Sequence, residues 1–164
     1  MKKITMDEAI MQTSPQPVAL ISSLTPEGGT NLAAVCWWVY LESDPPFMGF
    51  SMWKESYTCE LVDKNKKTVI SIPGEAISKE AFECGKVSGR DVNKAEKYKL
   101  ELQGGDIKYP VHSRLAFVCT VENQVDVGEC TFFICRVDEV YFNENERQLF
   151  ALAGKEMLAT VDSI

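Results

Sequence analysis

The sequence predicts a mainly β chain with short helices, folded as an antiparallel barrel with the helices inserted between strands. Two observations point there. Apolar, β-branched runs make up about seven strands, joined mostly by turn-length connections. Helical patterning is confined to short stretches, and no internal repeat or long linker divides the chain. All 164 residues, 1–164, are therefore expected to form a single domain with a real core.

Taken in order, residues 4–11 predict a short helix with Ile4, Ala9, Ile10 and Met11 as its apolar stripe, ended by Ser14-Pro15-Gln16-Pro17. Val18 to Leu24 predicts a strand, and Thr25-Pro26-Glu27-Gly28-Gly29 a hairpin turn. Asn31 to Leu41 predicts one long apolar strand, stopped by Asp44-Pro45-Pro46. Phe47 to Met52 predicts the next. Ser56 to Lys64 predicts a helix with Ser56 as its N-cap. Thr68 to Ile72 alternates as a strand up to Pro73. Residues 75–85 and 91–99 predict two short helices around Ser88-Gly89-Arg90. Leu115 to Val127 and Thr131 to Phe142 predict a long hairpin turning at Gly128-Glu129, and Gln148 to Ala153 a last strand.

Composition excludes several classes. A net charge of −7 argues against a nucleic-acid partner, whose recognition rests on neutralising phosphates. Met1-Lys2-Lys3 leads into Asp7 and Glu8 rather than an apolar run, so no signal peptide is expected, and no apolar stretch has the length of a membrane span. The expected location is cytoplasmic. Six cysteines, Cys36, Cys59, Cys84, Cys119, Cys130 and Cys135, contain no C-x-x-C and stand beside a single histidine, His112, so no zinc site and no disulfide framework is expected. Most should be buried as small apolar groups; Cys84 is the candidate exception because Lys86, Arg90 and Lys94 follow it, while its place at the end of the Ala81-Phe82-Glu83-Cys84 helix favours a structural cysteine facing the core.

No hydrolase elbow, phosphate-binding P-loop or dinucleotide fingerprint is present. His112 reads as a surface residue before a strand. Two segments suit an anion. In Ser51-Met52-Trp53-Lys54-Glu55-Ser56-Tyr57-Thr58 a strand gives way to a helix, whose free N–H groups attract phosphate while Lys54, Ser56 and Thr58 add charge and hydroxyls. In Cys84-Gly85-Lys86-Val87-Ser88-Gly89-Arg90-Asp91-Val92-Asn93-Lys94, the glycines permit close backbone approach, and Ser88, Arg90 and Lys94 offer donors. Read alone, the first is also an ordinary capped helix and the second an ordinary loop.

Their order meets a family pattern. Pro17-Val18-Ala19-Leu20-Ile21, Asn31-Leu32-Ala33-Ala34-Val35-Cys36-Trp37, Asp44-Pro45-Pro46, Glu55-Ser56-Tyr57-Thr58-Cys59-Glu60-Leu61-Val62 and the 84–94 loop together resemble flavin reductase-like, FMN-binding split-barrel proteins. The loop is similar to that of the flavoredoxin subgroup. The resemblance spans roughly residues 15 to 142 and implies a split β-barrel, FMN as cofactor and a homodimer with FMN near the subunit interface. It implies that Asn31, Leu32, Ala33, Ala34 and Val35 face the flavin ring. Ser51, Lys54, Ser56 and Thr58 would serve the cofactor from the strand–helix junction, and Cys84, Ser88, Gly89 and Lys94 from the loop. Trp37, Trp38 and Trp53 are candidates to wall the pocket. Where many relatives carry a histidine in a Gly-Asp-His-like run, this chain has Gly128-Glu129-Cys130, which puts any role of that histidine here in doubt.

The implied activity is NAD(P)H-dependent flavin oxidoreduction, with electrons passing to free flavin, a metal chelate or a partner protein. FMN would carry the chemistry, so no side chain is required as a nucleophile. Two alternatives stay open: an electron carrier or FMN-binding module that does not oxidise nicotinamide, and a related barrel that binds another group such as haem or is a non-catalytic dimer.

Overall fold

The computed structural model describes residues 1–152 and 157–161. Its helices are α1 (Met6–Gln12), α2 (Tyr57–Asn65), α3 (Ser78–Cys84) and α4 (Lys94–Lys97). Its main strands are β2 (Ala19–Leu24), β3 (Thr30–Val35), β4 (Trp38–Ser43), β5 (Pro46–Trp53), β6 (Lys67–Pro73), β9 (Ser113–Val127) and β10 (Cys130–Phe142). These seven form one antiparallel sheet in the order β3-β2-β6-β9-β10-β5-β4. Short strands β1 (Gln16–Pro17), β11 (Phe150–Leu152) and β12 (Met157–Ala159) make a second sheet, and β7 (Leu102–Gly104) pairs with β8 (Lys108–Pro110).

The expected long strand Asn31–Leu41 is broken. β3 and β4 lie at opposite ends of the sheet order, and only Cys36 and Trp37 join them. Those two residues carry the chain from one sheet edge to the other. The Ser51 N–H donates to the Trp37 carbonyl at 2.8 Å and holds the junction. The sheet edges thus meet, and the predicted antiparallel split barrel forms. An unbroken apolar run concealed the break because the residues on both sides of it are apolar.

β2 explains why its sequence lacks alternation. Ala19 and Ile21 face the barrel interior with Phe50, Ile70 and Phe133, while Leu20 faces a second core with Leu32, Ala81, Cys84 and Leu149. A strand buried on both faces reads as a continuous apolar run. α2 starts at Ser56, whose Oγ accepts from the Cys59 N–H at 3.1 Å, and buries Thr58, Cys59, Leu61 and Val62. Burying the Leu61 and Val62 side chains is worth about 1.5–3 kcal/mol each. It ends at Lys66, in the left-handed region at φ 53°.

The Gly128-Glu129 hairpin forms as expected, with Val127 opposite Cys130. Three expectations shift. The stripe of α1 ends up without a buried residue, the helix resting on a Thr5–Glu8 capping box. Segment 75–85 opens as a 3-10 turn at Glu75–Ile77 before α3. Segment 91–99 contracts to Lys94–Lys97, because the Asn93 side chain caps it from Glu96 N–H. β7, β8 and β12 were not anticipated, being three residues each. Of the last predicted strand, Ala153 lies outside the described residues. No described helix is long and apolar enough to cross a membrane.

Candidate functional site

β3, the end of β5, the start of α2 and the 85–94 loop enclose a groove with two arms. The first arm, a cavity of about 470 Å³, is walled by Val18, Val35, Cys36, Trp37, Ser51, Phe82, Cys130, Ala151 and Leu158. The second, about 430 Å³, is lined by Ser56, Tyr57, Thr58, Cys84, Ser88, Gly89, Arg90 and Lys94, with Glu55 at its exposed rim. Ala34, Met52, Trp53, Gly85 and Lys86 line both, so the arms run together. Small residues at 33 and 34 keep the floor of β3 low.

The second arm is built to donate. Tyr57 and Thr58 lie in the first turn of α2, where backbone N–H groups have no intrahelical acceptor. Three hydroxyls already accept from the protein: Ser56 Oγ from Cys59 N–H, Thr58 Oγ1 from Asn31 Nδ2 at 2.8 Å, and Ser88 Oγ from Arg90 N–H at 3.2 Å. Each hydroxyl has one proton left to give. Arg90 arches over the helix start, donating to the Glu55 carbonyl at 2.9 Å and to Glu60 Oε2 at 2.7 Å, its guanidinium above the Tyr57 ring.

Lys94 is the unusual group. It is 4% exposed, and its ammonium donates to the Leu32 carbonyl at 2.6 Å and the Cys84 carbonyl at 2.8 Å. No carboxylate pairs with it among the described residues. Burial pulls its pKa below the ordinary lysine value. An unpaired buried cation is costly, and an anion in the arm would offset that cost.

The first arm is apolar, with Trp37 and Trp53 half exposed at its mouth. A pocket lined by hydrogen-bond donors thus opens into an apolar slot.

Comparison with known proteins agrees. Residues 11–157 match the family described as Flavin reductase like domain. The chain belongs to that family. Flavoredoxin from Methanosarcina acetivorans has a similar structure, with a TM-score of 0.86 at 22% identity, covering 100% of this chain and 94% of that one. An FMN-binding protein from Thermus thermophilus, solved with 1-cyclohex-2-enone, gives 0.81 at 19% identity, covering 98% and 93%. Among curated sequences, the YddH protein of Escherichia coli strain K12 is 33% identical over 92 residues, 56% of this chain and 49% of that protein. The match thus spans about half of YddH.

Within this flavin reductase-like barrel, Ala33, Ala34, Val35, Ser51, Ser56, Thr58, Cys84, Ser88, Gly89 and Lys94 all line the groove. Three expected residues do not. Asn31 is buried behind Thr58, and Leu32 is core with only its carbonyl bonded to Lys94. Lys54 pairs with Asp126 at 3.0 Å. Trp37 and Trp53 line the groove, whereas Trp38 packs against the barrel core. Arg90, Tyr57, Phe82 and Lys86 join the site. Arg90 was visible as a donor in its loop, but nothing in the sequence brings Phe82 to β3.

Of the two readings of Cys84, the structure takes the packed one. Cys84 is 1% exposed, and burial pushes its thiol up to about 11 despite the nearby Lys94. α3 turns it into the second core beside Ala81. The half-buried thiols are Cys36 and Cys130, both lining the apolar arm. His112 is surface-exposed and pairs with Glu146 at 2.7 Å.

Proposed function

We propose that this chain binds FMN in the two-armed groove and works as an NAD(P)H-dependent flavin oxidoreductase of the cytoplasm. One observation carries the reading. The Ser56, Thr58 and Ser88 hydroxyls of the polar arm each accept a hydrogen bond from the protein, next to a buried, carboxylate-free Lys94, and this arm opens into an apolar slot.

FMN would supply the transfer of electrons from a reduced nicotinamide to a second acceptor. The protein's part is binding and exclusion. Tyr57 and Thr58 N–H, the Ser56, Thr58 and Ser88 hydroxyls, Arg90 and Lys94 would hold the phosphate. Met52, Trp53, Trp37 and Phe82 would keep water from the ring, against the low floor of Ala33 and Ala34. A second copy of the chain would cover the exposed apolar run Trp37, Val39, Tyr40 and Leu41 beside the apolar arm, giving a homodimer.

Heat release and chromatography of the cofactor test the reading, with FMN expected and FAD overturning it. A Ser56→Ala, Thr58→Ala double variant should bind FMN at least tenfold more weakly, since a hydrogen bond to a charged group is worth about 1.5–3 kcal/mol. Steady-state turnover of NADH and NADPH tests the enzymatic half. Bound FMN without turnover would leave an electron carrier. Sedimentation reports the dimer.

A further inference from the structure

Asn31 does not line the groove, yet it touches the group that does. Its Nδ2 donates both to Thr58 Oγ1 at 2.8 Å and to Ser23 Oγ at 3.2 Å, while Oδ1 is buried with no partner. Asn31 is 4% exposed and Thr58 3%. A threonine hydroxyl has one proton and two acceptor positions. With the asparagine amide donating from behind, the proton must point elsewhere. Thr58 is in the first turn of α2, with no helical carbonyl one turn earlier, and no described group accepts its proton. What remains is the polar arm, which Thr58 lines.

We infer that Asn31 is a positioning residue: its amide fixes the Thr58 hydroxyl as a donor into the polar arm and so sets the preference for a phosphorylated flavin over an unphosphorylated one. The inference rests on the reading that this arm holds the phosphate. A phosphate dianion only accepts hydrogen bonds, so a hydroxyl held as a donor favours it. Were the amide reversed, Oδ1 would take the Thr58 proton and the arm would present lone pairs to the anion. The polar contact is therefore decided one residue behind the surface, by a side chain that the ligand never meets.

The experiment compares affinities for FMN and riboflavin, which lacks the phosphate, by flavin fluorescence in wild type, Thr58→Val, Asn31→Asp, Asn31→Leu and the corresponding double variants. Thr58→Val should cut the FMN-over-riboflavin preference about tenfold. Asn31→Asp has nearly the same shape but only accepts, so it should cut the preference at least as far. Asn31→Leu, which removes the donor without adding charge, should fall between wild type and Thr58→Val. In the Thr58→Val background Asn31→Leu should add nothing and Asn31→Asp much less than alone, because the two residues act through one hydroxyl. A general folding defect would weaken riboflavin and FMN alike and leave their ratio intact. Should Asn31→Asp fail to fold, Asn31→Leu and its double variant decide. An unchanged preference in the Asn31 variants, or undiminished effects without the Thr58 hydroxyl, overturns the inference while the phosphate reading stands. Equal binding of FMN and riboflavin by wild type overturns both.

Discussion

Gly89→Ala puts one methyl group where the loop meets the barrel. The added Cβ would stand 2.0 Å from Asn31 Oδ1, 2.8 Å from its Cγ and 3.1 Å from a Tyr57 ring carbon. Since such contacts do not fall below 3.0 Å, one side must move by about 1 Å. If Asn31 yields, its hydrogen bonds to Ser23 and Thr58 go, at about 0.5–1.5 kcal/mol each. If the loop yields instead, the main loss is the exposed Arg90–Glu60 pair, worth about 0–1 kcal/mol. The loop is the cheaper partner to move. The melting temperature should therefore drop by only about 2–4 °C, the equivalent of about 1 kcal/mol in a domain of this size. On the proposed reading FMN binding should suffer more, because the loop would carry Ser88 and Arg90 away from the phosphate. At about 1.5–3 kcal/mol per charge-assisted bond, FMN affinity should fall tenfold or more. Fluorescence titration and thermal melts read both quantities, with Gly105→Ala, which meets open space, as the control. FMN binding equal to wild type would refute the packing argument. A stability loss well beyond about 1 kcal/mol, with FMN binding weakened through the released Thr58 hydroxyl, would show that Asn31, not the loop, gives way.

Three further outcomes follow from the same site. Because burial lowers the folded-state pKa of Lys94, the unfolded chain holds more protons between that lowered value and 10.5, so Lys94 contributes a rise of ligand-free stability with pH across that window, against the fall contributed by the buried thiols Cys84, Cys119 and Cys135, whose pKa values burial raises; urea melts at stepped pH should show a slope of stability against pH that is more positive in wild type than in Lys94→Met. Alkylation followed by peptide mapping should label Cys36 and Cys130 before the four buried cysteines, with added FMN protecting both; faster labelling of Cys84 would contradict its packing. Lys54→Ala should weaken FMN far less than Lys94→Met, measured by the same titration, since Lys54 is engaged by Asp126 and the exposed pair is worth at most about 1 kcal/mol.

The fold was legible wherever one rule governed a segment. Ser56 as a cap and Gly128-Glu129 as a turn are local chemistry, and both formed in place. The break at Cys36-Trp37 was not legible, since a strand that leaves one sheet edge and joins the other changes partners without changing composition. Nor were β7, β8 and β12, too short to show a period.

The site was legible by residue type and not by side. Lys54 and Lys94 both lie in hydroxyl-rich segments, and the sequence offers the same argument for each. What separates them is long-range. Lys54 follows the end of β5, where its backbone N–H bonds the Glu129 carbonyl and its ammonium meets Asp126 across the β9–β10 turn. Lys94 starts α4 against β3, where the carbonyls of Leu32 and Cys84 take its protons and no carboxylate reaches it. The Lys54 charge is balanced away from the groove and has little to gain from a ligand there, whereas the buried Lys94 charge, left unbalanced beside the groove, gains much. The same logic separates Asn31 from the residues around it. It was expected at the ring because of its place in the β3 motif, on the strand face it shares with Ala33 and Val35, but it sits deeper than they do, 4% exposed behind Thr58. Asn31 is directed to Ser23 and Thr58, and its reach into the groove is through the Thr58 hydroxyl alone.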